Sequence, residues 1–396
     1  MIASRLRLHP TIVLMAWAHL MVDGYGNIYP PLLPLLIPKL GMSLATAGIL
    51  TMLFQLAASV AQVGFGHVAD RWRPRVFIMA GPVVCVVLLS LIGLSTSTAM
   101  LAMVLIGGGL GSAAFHPPAA ALAHRLGEGR QGLAMSVYIS GGSLGFAFGP
   151  LLFAPFAEWF GMQWTPLLAV PGLVVVAVFL ARVPPMPRHE SSRGGFAALK
   201  PYMKPLTLLY LIVVLRTLSS LAIATFVPVM LTRRGLSVTH AGIAVFVYLF
   251  ASGVGGFLGG PAADRFGPRK VIVLSLLAAS PFLVVAPLLT GWTFIAALAV
   301  GGFFLQSTLP VNVTFGQSLA PVSAATVSSL MMGFAWGTGG FSVPVVGLIA
   351  DHVGIAPTLM GLGLVPLLAA ACALPLPKRA RLGMRGAEAI PFEARP

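Results

Sequence analysis

The chain has 396 residues, of which 58% are hydrophobic and only 8% charged, with a formal net charge of +15 and a mean hydropathy of +0.95. A water-soluble domain carries roughly a quarter charged residues, so this composition excludes a soluble enzyme and points to a polytopic membrane protein. The basic residues lie between apolar runs rather than on one soluble face, which excludes a nucleic-acid footprint and supplies a topology signal instead.

A bilayer span needs about 20 apolar residues. Runs of that kind are predicted at 11–38, 44–68, 76–94, 98–124, 131–155 and 163–182, and again at 205–231, 238–262, 271–290, 292–318, 323–350 and 355–375. The opening MIASRLRLHP has the charge of a signal-peptide n-region, but the apolar run after it is long and lacks a small-residue cleavage site, so a retained first helix is expected. The fold class that follows is an all-α membrane protein of twelve transmembrane helices in two six-helix bundles. The bundles are residues 1–182 and 205–377, joined by a polar linker at 183–204 and followed by a tail at 378–396.

The first helix reads HLMVDGYGNIYPPLLPLLIP. Its Asp23 falls near mid-bilayer, where a charge costs about 2.5–3.5 kcal/mol and therefore faces a cavity or a partner. His19 sits one turn earlier on the same face, and an imidazole beside a carboxylate suits proton exchange near neutral pH. A cavity-lining imidazole that does not titrate fits the spacing equally. Tyr25, Asn27 and Tyr29 add polar groups, as does Gln55 in the second helix.

The fourth helix carries GGGLGSAAFHPPAAALAHR, placing His116 just before Pro117, where a broken backbone can present polar groups to a pathway. The fifth carries SGGSLGFAFGP, with Gly141, Gly145, Gly149 and Pro150 at four-residue spacing, a face that allows close helix packing. Arg216 lies as deep in the seventh helix as Asp23 does in the first. It is expected to attract an anionic substrate group, with Asp23 binding a proton or pairing with Arg216 when the site is empty. A permanent structural ion pair between the two is the alternative reading. Gln306, Asn312 and Gln317 add polar groups in the tenth segment, and Tyr138, Phe226, Tyr248 and Trp336 could offer aromatic walls. Cys85 and Cys372 lie in separate apolar runs, so neither a disulfide nor a metal site is expected.

The two halves repeat. GHVADRWRPR (Gly66–Arg75) returns as GPAADRFGPRK (Gly260–Lys270), so Asp70 and Asp264 are 194 residues apart. Pro34 maps to Pro228 by the same shift, while Pro117 maps to Pro310, Glu158 to Asp351 and Asp23 to Arg216 at a shift of 193. The acidic positions 70, 158, 264 and 351 thus recur every three helices, as expected of nested three-helix repeats that rock about a midplane site. With both termini cytoplasmic, 20 Lys and Arg lie inside and only Lys39, Arg233 and Arg234 outside, the asymmetry of a bacterial inner-membrane protein.

These residues resemble the major facilitator superfamily. Its loop between helices 2 and 3 reads G-x-L-A-D-R-x-G-R-[RK], which Gly66, Asp70, Arg71 and Arg75 match in the first copy, with Arg73 where glycine is usual. The second copy matches through Gly260, Asp264, Arg265, Gly267, Arg269 and Lys270. The resemblance implies a conformational gate in which the aspartate ties a neighbouring helix. The first-helix His-x3-Asp and the fourth-helix Phe-His-Pro resemble the fosmidomycin-resistance group of exporters. The fifth helix partly matches an exporter motif whose closing Gly-Gly is here Phe153 and Ala154, and the fourth-helix arginine of drug–proton antiporters is here Leu105.

The function that follows is alternating-access transport by a monomer, without cofactor, driven by a proton gradient. Export of a small anionic or amphiphilic compound such as a phosphonate-type antibiotic is expected, with uptake of a small organic anion as the alternative. The expected partners are the lipid bilayer, protons and the small-molecule substrate. A membrane enzyme or sensor is a remote alternative, because the chain shows no nucleotide loop, metal cluster or nucleophile elbow and its loops are short.

Overall fold

The computed structural model describes residues 9–71, 74–127, 130–182, 196–320 and 324–377. Among them the ordered backbone is helical and no strand occurs. We number the twelve membrane helices α1 to α12. α1 is in two pieces, Pro10–Gly26 and Tyr29–Leu40. The N-terminal bundle continues with α2 (Leu44–Gly66), α3 (Pro74–Leu94), α4 (Thr98–Leu126), α5 (Leu133–Phe160) and α6 (Met162–Leu180). The C-terminal bundle comprises α7 (Leu199–Arg233), α8 (Val238–Phe266), α9 (Pro268–Leu288), α10 (Gly291–Leu319), α11 (Thr326–Val353) and α12 (Ile355–Ala373).

Eleven of these helices are individually long and apolar enough to cross a membrane. α1 is the exception because it breaks at Asn27–Ile28. Pro30 and Pro31 lack the N–H groups that would bond back across the break, and the Asn27 amide donates instead to the Phe146 carbonyl at 2.8 Å. The expected linker is partly helical, since Phe196–Tyr202 forms a 3-10 turn leading into α7. Residues 183–195 and the tail 378–396 lie outside the described residues.

The two bundles are clasped at one end by a symmetric pair of carboxylates. Glu158, at the end of α5, accepts from the Val238 and Thr239 backbone N–H groups at 3.1 and 2.8 Å. Asp351, at the end of α11, accepts from Leu44 and Ala45 at 2.9 Å each. Each carboxylate therefore caps the first turn of a helix in the opposite half, where unpaired N–H groups and the helix dipole favour an anion. Ser43 and Ser237 cap the next donors of the same turns, Thr46 N at 3.0 Å and His240 N at 3.2 Å. Trp159, Trp164 and Trp292 stand exposed at this same end, in the manner of an interfacial aromatic belt.

At the opposite end, which carries the repeated Asp-Arg segments, no such carboxylate clasp occurs among the described residues. The family resemblance implies that Asp264 ties a neighbouring helix; instead it is exposed and, among the described residues, makes no hydrogen bond or ion pair. The resemblance assigns that tie to the outward-open state, and here the described residues of the two halves are clasped at the other end. Arg75 and Arg265 are also exposed and Arg269 is half-buried. The Arg265 guanidinium lies 5.3 Å from the Phe266 ring centre, Gly260 faces open space and Gly66 faces Pro117. The side chains of Asp70 and Arg71 lie outside the described ones.

Candidate functional site

Asp23 is the fourteenth residue of the first α1 piece, about 20 Å along the helix axis from Pro10 at 1.5 Å per residue. Its two carboxylate oxygens are held by two imidazoles. His19 Nε2 lies 3.1 Å from Oδ2, and His116 Nε2, from α4, lies 3.0 Å from Oδ1. The far ring nitrogens are also committed. His19 Nδ1 is 2.8 Å from the Tyr138 carbonyl of α5, and His116 Nδ1 is 2.7 Å from the Ser112 carbonyl one turn back in α4. Tyr138 stacks on His19 with ring centres 4.2 Å apart. Asp23 and His116 remain partly open, at 24% and 20% side-chain exposure.

The glycine face of α5 makes this closeness possible. A Cβ at Gly141, Gly145 or Gly149 would strike a backbone carbonyl of α1, and one at Gly142 would strike His19 Nε2 and Asp23 Oδ2 themselves. Pro150 is placed at the α5–α8 contact, where its carbonyl meets Gly242. Gly142 is the residue the sequence reading missed, although it stands inside the quoted motif; only the register of α5 against α1 shows that it faces the triad.

Arg216 in α7 is fully buried and does not pair with Asp23, which overturns the permanent structural ion pair. Its Nη1 donates to Gln306 of α10, its Nη2 donates to Thr217 Oγ1 at 3.2 Å, and its guanidinium lies 5.7 Å from the Trp336 ring centre of α11. Its Nε has no partner. All three neighbours are neutral, so the cation has no counter-anion among the described residues. Trp336 follows a π-helical stretch at Ser329–Phe334, the kind of local irregularity frequent at functional sites. Asn312, also fully buried, leaves both amide atoms without partners.

Other expected pathway residues hold the fold together. Tyr25 donates to the Leu168 carbonyl, Asn27 secures the α1 break as described, and Tyr29 donates to Ala47 at 3.1 Å. Tyr25 and Asn27 are only 2% exposed and so do not line an open cavity. Gln55 bonds Ser59 Oγ at 2.9 Å within α2, and Gln317 bonds Ser328 at 2.7 Å. Phe226 is buried, and Tyr248 donates to Ser220 at 3.3 Å. His19, Asp23 and His116 place their ligand atoms within 4.8 Å of one another, a spacing that invites a metal. Each carboxylate oxygen faces one imidazole Nε2, at 3.1 Å for His19 and 3.0 Å for His116.

The Major Facilitator Superfamily model matches residues 15–215 and again 209–396, one match for each half. The chain belongs to the Major Facilitator Superfamily. It is 30% identical over 368 residues to the Fosmidomycin resistance protein of Escherichia coli (strain K12), covering 89% of each chain. It is 29% identical over 376 residues to the Uncharacterized MFS-type transporter YfnC of Bacillus subtilis (strain 168), covering 91% of each. Among solved structures it superposes on a bacterial homologue of the human lysosomal transporter Spinster with a TM-score of 0.74 at 18% identity, covering 92% of this chain and 95% of that one. It superposes on the nucleoside transporter NupG with a TM-score of 0.76 at 14% identity, covering 92% and 98%.

Membership of the superfamily makes this chain a transporter rather than an enzyme. The clasped end, the unengaged end and the midplane polar groups are then parts of one machine. A first expected outcome concerns Gly142. Gly142→Ala should cut transport at least tenfold, because the added Cβ would press on His19 Nε2 and Asp23 Oδ2 and overpacking costs about 1–3 kcal/mol. Gly253→Ala, where a Cβ meets nothing within 4 Å, should be silent in the same proteoliposome assay. Equal activity of the two variants would show that the triad tolerates displacement.

Proposed function

We propose that this protein is a proton-coupled exporter of small anionic compounds, phosphonate-type antibiotics among them, working by alternating access in the bacterial inner membrane. The observation that carries the reading is Arg216: a guanidinium buried in the membrane, held only by Gln306, Thr217 and Trp336, with one N–H unpaired. A buried cation without a counter-charge is costly, and an anionic substrate supplies that charge. The likeness to the Fosmidomycin resistance protein supports the substrate class and the direction. The His19–Asp23–His116 cluster supplies the groups that take up and release protons. The excess of Lys and Arg on one side supports cytoplasmic termini, which puts the clasped end at the periplasm and the open end at the cytoplasm, ready to load substrate.

Uptake of an organic anion is the second reading. It is favoured by similarity, at 24% identity over 367 residues, to a Probable 4-methylmuconolactone transporter of Cupriavidus pinatubonensis. Purified protein in proteoliposomes separates the two when fosmidomycin flux is measured under opposite pH gradients. Arg216→Gln should lower fosmidomycin transport about 10- to 100-fold, the worth of a charged hydrogen bond of about 1.5–3 kcal/mol, chiefly through KM. Unchanged kinetics in correctly folded protein would remove Arg216 from the pathway.

A further inference from the structure

The hydrogen bonds around Asp23 fix a proton count. A backbone carbonyl can only accept, so His19 Nδ1, facing Tyr138 O at 2.8 Å, and His116 Nδ1, facing Ser112 O at 2.7 Å, each carry a hydrogen. A neutral imidazole has one N–H only. If both rings were neutral, each Nε2 would present a lone pair to a carboxylate oxygen, at 3.1 Å for His19 and 3.0 Å for His116. Two acceptors at that distance repel. In metal-free protein each contact therefore needs its own proton, whether that proton rides on the ring or on the carboxyl group.

Among the described residues no other charge resolves the contacts. α3 brings Cys85, whose thiol lies 3.7 Å from the Val22 carbonyl, and α5 brings Tyr138 and the bare backbone of Gly142. The α6 segment Ala169–Leu180 contains no titratable residue, and α4 contributes His116 itself. Arg216 is occupied on α7 and α10. We propose that the triad stores two exchangeable protons in the conformation seen here, for a cluster charge of +1, and that one transport cycle exchanges two protons for one substrate.

Loss of either proton turns one contact repulsive and opens it. His19 shares α1 with Asp23, one turn away, whereas His116 reaches across from α4. Release of the proton between His116 and Asp23 therefore loosens the α1–α4 contact, which links the proton count to helix movement.

The transport stoichiometry rests on the proton-coupled reading above, while the proton count stands on the geometry alone, and two measurements separate them. The first uses chelator-treated purified protein without substrate, titrated from pH 9 to pH 5 against the triple variant D23N/H19Q/H116Q. The wild type should take up two more protons than the variant; a difference of one or none overturns the proposal. The second sets fosmidomycin gradients against pH gradients in proteoliposomes and reads the balance point. Two protons per fosmidomycin are expected for wild type, falling to one in His19→Gln, whose amide can still donate to Asp23 without carrying an exchangeable proton. A wild-type value of one, or a value unmoved by His19→Gln, overturns the two-proton cycle. Flux indifferent to any pH gradient would instead overturn proton coupling and leave the first measurement to decide the proton count.

Discussion

On the proposed proton-coupled reading, Asp23→Asn should cut transport driven by a pH gradient at least tenfold, while leaving substrate exchange at equal pH within a few-fold of wild type. The substitution keeps the size of the side chain but removes its charge. The asparagine can donate to one imidazole Nε2 and accept from the other when that ring is an imidazolium, so the cluster closes with one extra proton rather than the two that the carboxylate demands. Stability should not suffer, because an ionised group at the bilayer centre is itself a cost of about 2.5–3.5 kcal/mol. Counterflow and gradient-driven uptake measured on the same proteoliposomes distinguish the outcomes. Gradient-driven flux at the wild-type rate would remove Asp23 from the coupling machinery, whereas parallel loss of both activities would make it a substrate ligand.

The architecture was readable in the chain because each of its signals is local or periodic. Apolar runs and the charge asymmetry gave twelve helices, and a fixed shift of 193–194 residues gave the duplication. The His19–Asp23 contact was readable too, since four residues along a helix is one turn. The partner choice was not. Opposite charges at equivalent depths suggested Asp23 with Arg216, but depth says nothing of rotation about the helix axis. Asp23 faces His116, 93 residues away on α4, and Arg216 faces Gln306 and Trp336. Gly142 was invisible for a related reason: four-residue glycine spacing shows which face of α5 is small, while the residue beside that face matters only once α1 is docked. The role of Glu158 and Asp351 was half visible. Their recurrence marked them out, but their partners are backbone N–H groups, which carry no residue-type signal in sequence. The serine caps Ser43 and Ser237 were the available hint that helices begin there.

That pair of carboxylates carries the second large effect. Combined Glu158→Gln and Asp351→Asn should open the clasped end. Each carboxylate presents two acceptor oxygens to the first two N–H groups of a helix in the other half. Each amide offers one acceptor, and must turn its NH2 toward the second backbone donor. Charge-assisted bonds of this kind are the stronger class, and an anion at a helix N-terminus gains typically 0.3–1 kcal/mol from the dipole alone. A combined loss of about 3 kcal/mol would move the closed-to-open ratio about a hundredfold, enough to make a minor open state dominant. The two clasps bind different helix pairs, α5 to α8 and α11 to α2, so their contributions should add and each single variant should show an intermediate shift. Spin labels at Trp164 and Trp292, exposed residues at that end on opposite halves, report the separation by pulsed dipolar spectroscopy in a background lacking Cys372. Wild type should show a short distance and the double variant a second, longer population. A distribution identical to wild type would mean that the helices close on their packing alone, with Gly48 seated against Pro344 and Gly242 against Pro150.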